Sequence, residues 1–156
     1  MAKLVFVCWG NICRSPMAER VALHQAGQRG LDVEVESFAI SSEETGNPID
    51  RRAVRTLTAH GYDASGHRAR TVRAGDLQSA DLVVAVEPFH VERLRRLAPG
   101  ARIELLNDFN PMKPKGEPLV DPWYGDQEGF EETLADVEAA MPGILDAVRA
   151  RVGAEG

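Results

Sequence analysis

Cys8-Trp9-Gly10-Asn11-Ile12-Cys13-Arg14-Ser15 lies between two stretches of different periodicity. Before it, Leu4-Val5-Phe6-Val7 is short, apolar and β-prone, which predicts a buried strand. After it, Ser15 is expected to cap a helix, with Pro16 at the first helical position and Met17, Ala18, Val21 and Ala22 on one face. A strand, a tight polar loop and a helix aim several backbone N–H groups and the positive end of a helix dipole at one spot. Proteins hold phosphate-like anions this way. Here the spot also holds Cys8 and, six residues on, Arg14.

Outward from that loop, strand and helix patterns alternate. The first helix is expected to end near Gly27 to Gly30, and Asp32-Val33-Glu34-Val35-Glu36-Ser37-Phe38 alternates as a second strand. A polar loop from Ser41 to Pro48 leads to Asp50, the expected cap of a helix carrying Ala53, Val54 and Leu57 and closed by Gly61. His67-Arg68-Ala69-Arg70 is irregular. Leu82-Val83-Val84-Ala85-Val86 is the clearest buried strand, and Pro88 then opens a helix with Val91, Leu94 and Leu97 facing inward. Arg102-Ile103-Glu104-Leu105-Leu106 is the fourth strand.

From Asn107 to Gly125 the chain is rich in Pro, Gly and Asp and reads as a long loop, a length usually reserved for function. A last amphipathic helix carries Phe130, Leu134, Val137, Met141, Ile144, Leu145, Val148 and Val152, with a kink expected at Pro142-Gly143. The pattern predicts one α/β domain over residues 1–156, a four-stranded parallel sheet with helices on both faces. Ligands of such sheets bind beyond the carboxyl ends of the strands, beside a topological switch point. The opening loop stands at such an end.

Composition narrows the function classes. A hydrophobic share of 44% and a charged share of 27% are those of a globular protein. No apolar run approaches the roughly 20 residues a membrane span needs, and the N-terminus lacks signal-peptide design. A cytoplasmic location without membrane association is therefore expected. A net charge of −6 argues against nucleic acid as a partner. Both cysteines sit in the opening loop, which points to reactivity rather than a disulfide framework. A zinc site lacks a second ligand pair and a nucleotide P-loop lacks its Gly-Lys-Ser/Thr, so no metal or cofactor is expected.

The residue types fit one chemistry. A free thiol has a pKa of ~8.5 and is mostly protonated at neutral pH. Inward N–H groups, the helix dipole and the Arg14 guanidinium would favour negative charge on Cys8, and Arg14 matches a phosphoryl group with two parallel N–H bonds. Gly10 and Asn11 tolerate the left-handed backbone an anion nest needs. A thiolate facing a phosphate monoester implies displacement at phosphorus and a cysteinyl-phosphate intermediate. A phenol of pKa ~10 leaves poorly as its anion, so a general acid is required. Asp121, in the shaped run Asp121-Pro122-Trp123-Tyr124-Gly125, is the candidate.

Those two motifs, in that order, resemble the low-molecular-weight protein tyrosine phosphatases, bacterial type, and the resemblance spans essentially the whole chain. Gly46-Asn47-Pro48, His67-Arg68-Ala69-Arg70 and Asp81-Leu82-Val83-Val84-Ala85 are weaker echoes. The resemblance implies Cys8 as nucleophile, Arg14 as phosphate binder and Asp121 as general acid, acting as a monomer on phosphotyrosine proteins or aryl phosphates. It implies a hydrogen-bond network of Asn11, Ser15, Ser37 and His67 holding the loop open, with the Ser15 hydroxyl aiding the leaving thiolate. Trp9, Gly10, Asn11, Ile12, Cys13, Ser15, Trp123 and Tyr124 are then the expected substrate-binding residues.

Several departures surround these motifs. Trp9 is larger than the family's usual residue, and Glu43 or Glu44 stands where many members carry an aromatic wall. Phe38-Ala39-Ile40 replaces a run of small residues, and Glu87 replaces an Asp; these changes are expected to bear on substrate recognition. Trp9 is expected to replace the wall by stacking on the phosphotyrosine ring. Cys13 either packs in the loop or forms a reversible disulfide with Cys8 that spares the nucleophile from over-oxidation.

Three rival functions remain distinct. An arsenate reductase of related fold needs a further cysteine pair, which this chain lacks. A phosphoarginine phosphatase prefers Thr where Ile12 crowds the pocket. A silent phosphopeptide-binding module would not need the thiol.

Overall fold

The computed structural model describes the backbone of residues 1–155 and the side chains of residues 1–150. Four parallel strands form the sheet: β1 (Ala2–Cys8), β2 (Val33–Ala39), β3 (Leu82–Ala85) and β4 (Ile103–Leu105), in the order β2-β1-β3-β4. Around it lie α1 (Arg14–Arg29), α2 (Arg51–Ala59), α3 (Ala74–Gln78), α4 (Pro88–Leu97) and α5 (Gln127–Glu155). The chain leaves β1 for β2 on one side and returns to β3 on the other. The switch point therefore falls between β1 and β3, and the loop after Cys8 opens directly into it.

Alternation along β1 divides the core. Leu4, Phe6 and Cys8 join the cluster containing Met17 and Val21 of α1, Leu57 of α2 and Leu134 and Met141 of α5. Val5 and Val7 join the opposite cluster with Leu77 of α3 and Val91 and Leu94 of α4. Each fully buried side chain of this size contributes about 1.5–3 kcal/mol relative to exposure. The central strand, buried on both faces, therefore holds Cys8 at a rigid sheet end.

Several local expectations change. Helix α1 begins at Arg14 with Cys13 in the cap position and no side-chain capping bond. Ser15 is not the cap, because its hydroxyl is turned to Cys8 and Asn11 instead. Asn11 adopts φ 61, but Gly10 does not share the positive φ, so one residue supplies the turn of the nest. Gly30, at φ 65, ends α1 as expected. Asp50 caps α2 by accepting from the Arg52 N–H at 2.9 Å.

On α4, Leu97 is exposed and His90 occupies the buried face, since Val91, Leu94 and His90 already turn that side of the helix to the sheet. The short α3 has too few apolar residues to register as a periodic pattern; Asp76 Oδ2 accepts from the Arg73 N–H at its start. The expected long loop contains two 3-10 turns, Leu106–Phe109 and Pro122–Tyr124. Helix α5 runs through Pro142 without a break, and Gly143 lets it approach Phe109, whose carbonyl oxygen would lie 3.4 Å from an added Cβ. Phe130, Leu134, Val137, Met141, Ile144, Leu145 and Val148 are all buried, while the Val152 side chain lies outside the described residues.

Candidate active site

Residues 9–13 wrap around the sulfur of Cys8. The N–H groups of Asn11 and Ser15 point at Sγ from 3.3 and 3.4 Å, and Ser15 Oγ lies 3.0 Å away. Hydrogen counting fixes the direction of the surrounding bonds. Asn11 Nδ2 donates to Ser15 Oγ at 2.8 Å and to Ser37 Oγ at 3.0 Å. Ser37 then donates to Glu19 Oε1 at 2.9 Å. The single Ser15 hydrogen is left for Sγ or for the Phe38 carbonyl at 3.5 Å, and Sγ is nearer. Three donors thus converge on the sulfur.

The strained residue is held from outside. Asn11 Oδ1 accepts from the Arg70 N–H at 3.2 Å, and His67 Nε2 donates to the Asn11 carbonyl at 2.7 Å. That bond fixes the proton on Nε2. Burial of His67 lowers its pKa, so the ring is neutral at pH 7, with Nδ1 3.8 Å from Glu19 Oε1. Ser37 and His67 therefore meet the loop as expected, joined through Glu19.

Arg14 is 3% exposed and lies under the loop. Its Nη1 donates to the Leu119 carbonyl at 2.8 Å and its Nη2 to Glu87 Oε2 at 2.9 Å. Asp121 Oδ2 is 3.5 Å from Nη2, and Asp121 Oδ1 accepts from the Trp123 N–H at 3.0 Å, at the entrance of the 3-10 turn. Among the described residues the Arg14 Nε–H has no hydrogen-bond partner, which leaves a donor for a ligand. Glu87, one of the changes expected to bear on substrate recognition, is an anchor of Arg14, because its carboxylate follows the carboxyl end of β3 beside the switch point.

A cleft of about 260 Å³ opens above Cys8 and Arg14. Its floor is the loop with Gly10, Ile12 and Cys13; Trp9, Glu43 and Glu44 line it, as do Asp121, Trp123 and Tyr124. Every expected substrate-binding residue except Ser15, which lies beneath the loop, lines this cleft. Trp9 is braced from behind by the first turn of α4, its ring centroid 6.2 Å from Phe89 and 6.4 Å from His90, and its Nε1 donates to Glu43 Oε2 at 3.3 Å. Tyr124, 88% exposed, stands at the rim. Cys13 is a free, buried thiol whose pKa burial pushes up. No group of three or more metal-ligating side chains occurs among the described residues.

The motifs alone do not reveal three supports of the site: Glu19, Glu87 and the Leu119 carbonyl. Glu19 lies one turn after Ser15 on the same helix, a spacing that carried the signal. Glu87 follows a strand's carboxyl end, where ligand-facing residues gather. A backbone carbonyl leaves no trace in residue type.

Residues 3–154 match the family model described as low molecular weight phosphotyrosine protein phosphatase. A low molecular weight protein-tyrosine-phosphatase of Streptomyces coelicolor is 41% identical, with 96% of this chain and 95% of the relative covered. Low molecular weight protein-tyrosine phosphatase A of Mycobacterium tuberculosis is also 41% identical, over 98% and 95%. In structure, the chain resembles a protein tyrosine phosphatase of Entamoeba histolytica with Hepes in its active site. The TM-score is 0.89 at 26% identity, covering 96% of this chain and 98% of that one.

Proposed function

Given that the chain belongs to the low molecular weight phosphotyrosine protein phosphatase family, we propose that it hydrolyses phosphotyrosine monoesters at the Cys8 cleft. The observation that carries this reading is the convergence on one cleft of a sulfur with three donors, a buried guanidinium and a carboxylate 3.5 Å from it.

The steps follow from what each atom can do. The Cys8 thiolate attacks phosphorus in line with the ester oxygen, forming a P–S bond as the P–O bond breaks. Asp121, as general acid, gives a proton to the departing phenolate. Arg14 and the loop N–H groups hold the three phosphoryl oxygens, whose charge they match before and during transfer. Water then attacks the cysteinyl-phosphate, Asp121 takes its proton, and the sulfur leaves as thiolate with the Ser15 hydroxyl stabilising it. Asn11, Ser37 and His67, with Glu19, are positioning residues that keep the Ser15 hydrogen aimed at sulfur. The same reading takes residues 1–156 as one phosphatase domain, working as a monomer in the cytoplasm on phosphotyrosine proteins. No helix among the described residues is long and apolar enough to cross a membrane.

Phosphate release from one peptide carrying phosphotyrosine, phosphoserine or phosphoarginine tests the substrate class. Phosphotyrosine should be strongly preferred; faster release from phosphoarginine would overturn the reading.

Two specificity and regulatory roles belong to this proposal. Trp9, braced against α4, stacks on the substrate ring. Trp9→Ala should raise KM for aryl phosphates about tenfold, the loss of one aromatic contact, with little effect on kcat. An unchanged KM contradicts that role. Cys13 resolves oxidised Cys8: peroxide converts the Cys8 thiolate to sulfenic acid, and the Cys13 sulfur then attacks the Cys8 sulfur to form the disulfide, the thiol proton and the sulfenic hydroxyl leaving as water. Since burial holds Cys13 as a thiol, the second step should be the slower one. Intact mass after peroxide should fall by two hydrogens and recover with dithiothreitol; accumulation of sulfonate would contradict it.

A further inference from the structure

A second depression, of about 480 Å³, adjoins the cleft and shares Ile12, Glu44 and Trp123 with it. Its far side is the first turn and a half of α2, with Arg51, Arg52 and Arg55. The three arginines differ in what occupies them. Arg52 is spent on structure. Its Nε pairs with Asp50 at 3.1 Å, its Nη1 reaches the carbonyls of Trp123 and Gly125, and its guanidinium lies over the Trp123 and Phe130 rings. Asp50 is thereby neutralised.

Arg51 and Arg55 are different. Both are exposed, they stand four residues apart and so on one helix face, and neither makes an ion pair among the described residues. Among the described residues the one polar contact of the Arg55 guanidinium is a long one, 3.5 Å to Gln127 Oε1. On a chain of net charge −6, this pair makes a local positive ridge beside a cleft for a dianion. The loop before Asn47 has the other sign: Glu43, held by Trp9, lines the cleft, and Glu44, the one carboxylate the groove sets against this pair besides Asp50, accepts from Asn47 Nδ2 at 2.6 Å between cleft and groove. A chain crossing the cleft therefore meets positive charge at the start of α2 and negative charge at Glu43 and Glu44.

We propose that the α2 groove binds acidic residues flanking the phosphotyrosine, so that preferred substrates carry Asp or Glu on the side of the phosphotyrosine that faces Arg51 and Arg55. The inference rests on the phosphotyrosine reading above. Rim charges of this kind act on encounter and register, are screened by salt, and have no lever on a small ester that never reaches the groove.

The test uses one phosphotyrosine peptide in four versions: Glu only before, Glu only after, Ala, and Lys at the flanking positions. With the wild-type protein at low salt, one of the two Glu peptides should exceed the Ala peptide in kcat/KM by about fivefold, the Lys peptide should fall below it, and high salt should compress the series. Arg51→Glu with Arg55→Glu should invert the ranking, and Arg51→Gln with Arg55→Gln should flatten it. Both variants should hydrolyse p-nitrophenyl phosphate at the wild-type rate, which also reports that they fold. A wild-type protein indifferent to the flanks, or a ranking unchanged in both variants, overturns the groove while leaving the phosphatase reading intact. Failure of the wild type on p-nitrophenyl phosphate overturns that reading and the groove with it.

Discussion

Asp121→Asn should lower kcat for a phosphotyrosine peptide by about 10²- to 10⁴-fold, the span expected when a positioned proton donor is lost. The deficit should depend on the leaving group. Tyrosine, with a phenolic pKa of ~10, needs the proton; p-nitrophenol, a far more acidic phenol, leaves as its anion with much less help. The variant should therefore be nearest to wild type for p-nitrophenyl phosphate in the first step and slow in the second, where Asp121 serves as base. Asn is the informative replacement because its Oδ1 can still accept from the Trp123 N–H, so the 3-10 turn is kept. Asp121→Ala loses that bond as well, and comparing the two separates chemistry from loop shape. Equal losses for both esters in kcat/KM, which reads only the first step, would contradict a proton-donor role.

The main frame was legible because it rests on periodicity. Leu4 to Val7 and Leu82 to Ala85 are apolar without interruption since both faces of those strands are covered, and α5 shows its buried stripe at spacings of three and four. Within the site, Cys8, Arg14 and Asp121 announce themselves by residue type and motif.

What escaped was set by tertiary contacts that override a local rule. Ser15 has the composition of an N-cap, yet the helix starts one residue earlier and the Met17 N–H that a Ser15 cap would take is donated to the Cys13 carbonyl at 3.0 Å, so the Ser15 hydroxyl is free for the sulfur and Asn11. Leu97 fits the periodic stripe of α4 but falls at its last residue, beyond the sheet's reach. Glu87 reads as a conservative acidic change. In the fold its extra methylene spans to Arg14 at 2.9 Å, beside His90 at 3.5 Å. His90, fully buried with neither ring nitrogen partnered among the described residues, has its pKa lowered to about 4 by burial, with Arg14 and Arg93 adding to the shift. It enters the site as a neutral aromatic brace behind Trp9.

The largest expected effect is at Cys8. Cys8→Ser should reduce turnover by at least about 10⁴-fold, since a hydroxyl in place of the thiolate is both a poorer nucleophile and, after transfer, a poorer leaving group. Phosphate binding should survive, because the Arg14 guanidinium is anchored by Leu119 and Glu87 without the sulfur, and a Ser hydroxyl oxygen can accept from the Asn11 and Ser15 N–H groups in its place. Loss of binding together with turnover would mean the loop had collapsed rather than lost its nucleophile.

The most direct measurement is mass spectrometry of the Cys8 peptide after acid quench of Asp121→Asn turning over p-nitrophenyl phosphate, a substrate that forms the intermediate faster than this variant can hydrolyse it. The expected result is one phosphoryl group on Cys8, formed in step with p-nitrophenol and absent when Cys8→Ser is added. Release of p-nitrophenol with Cys8 unmodified, or with the phosphoryl group on another residue, would contradict covalent catalysis by this loop.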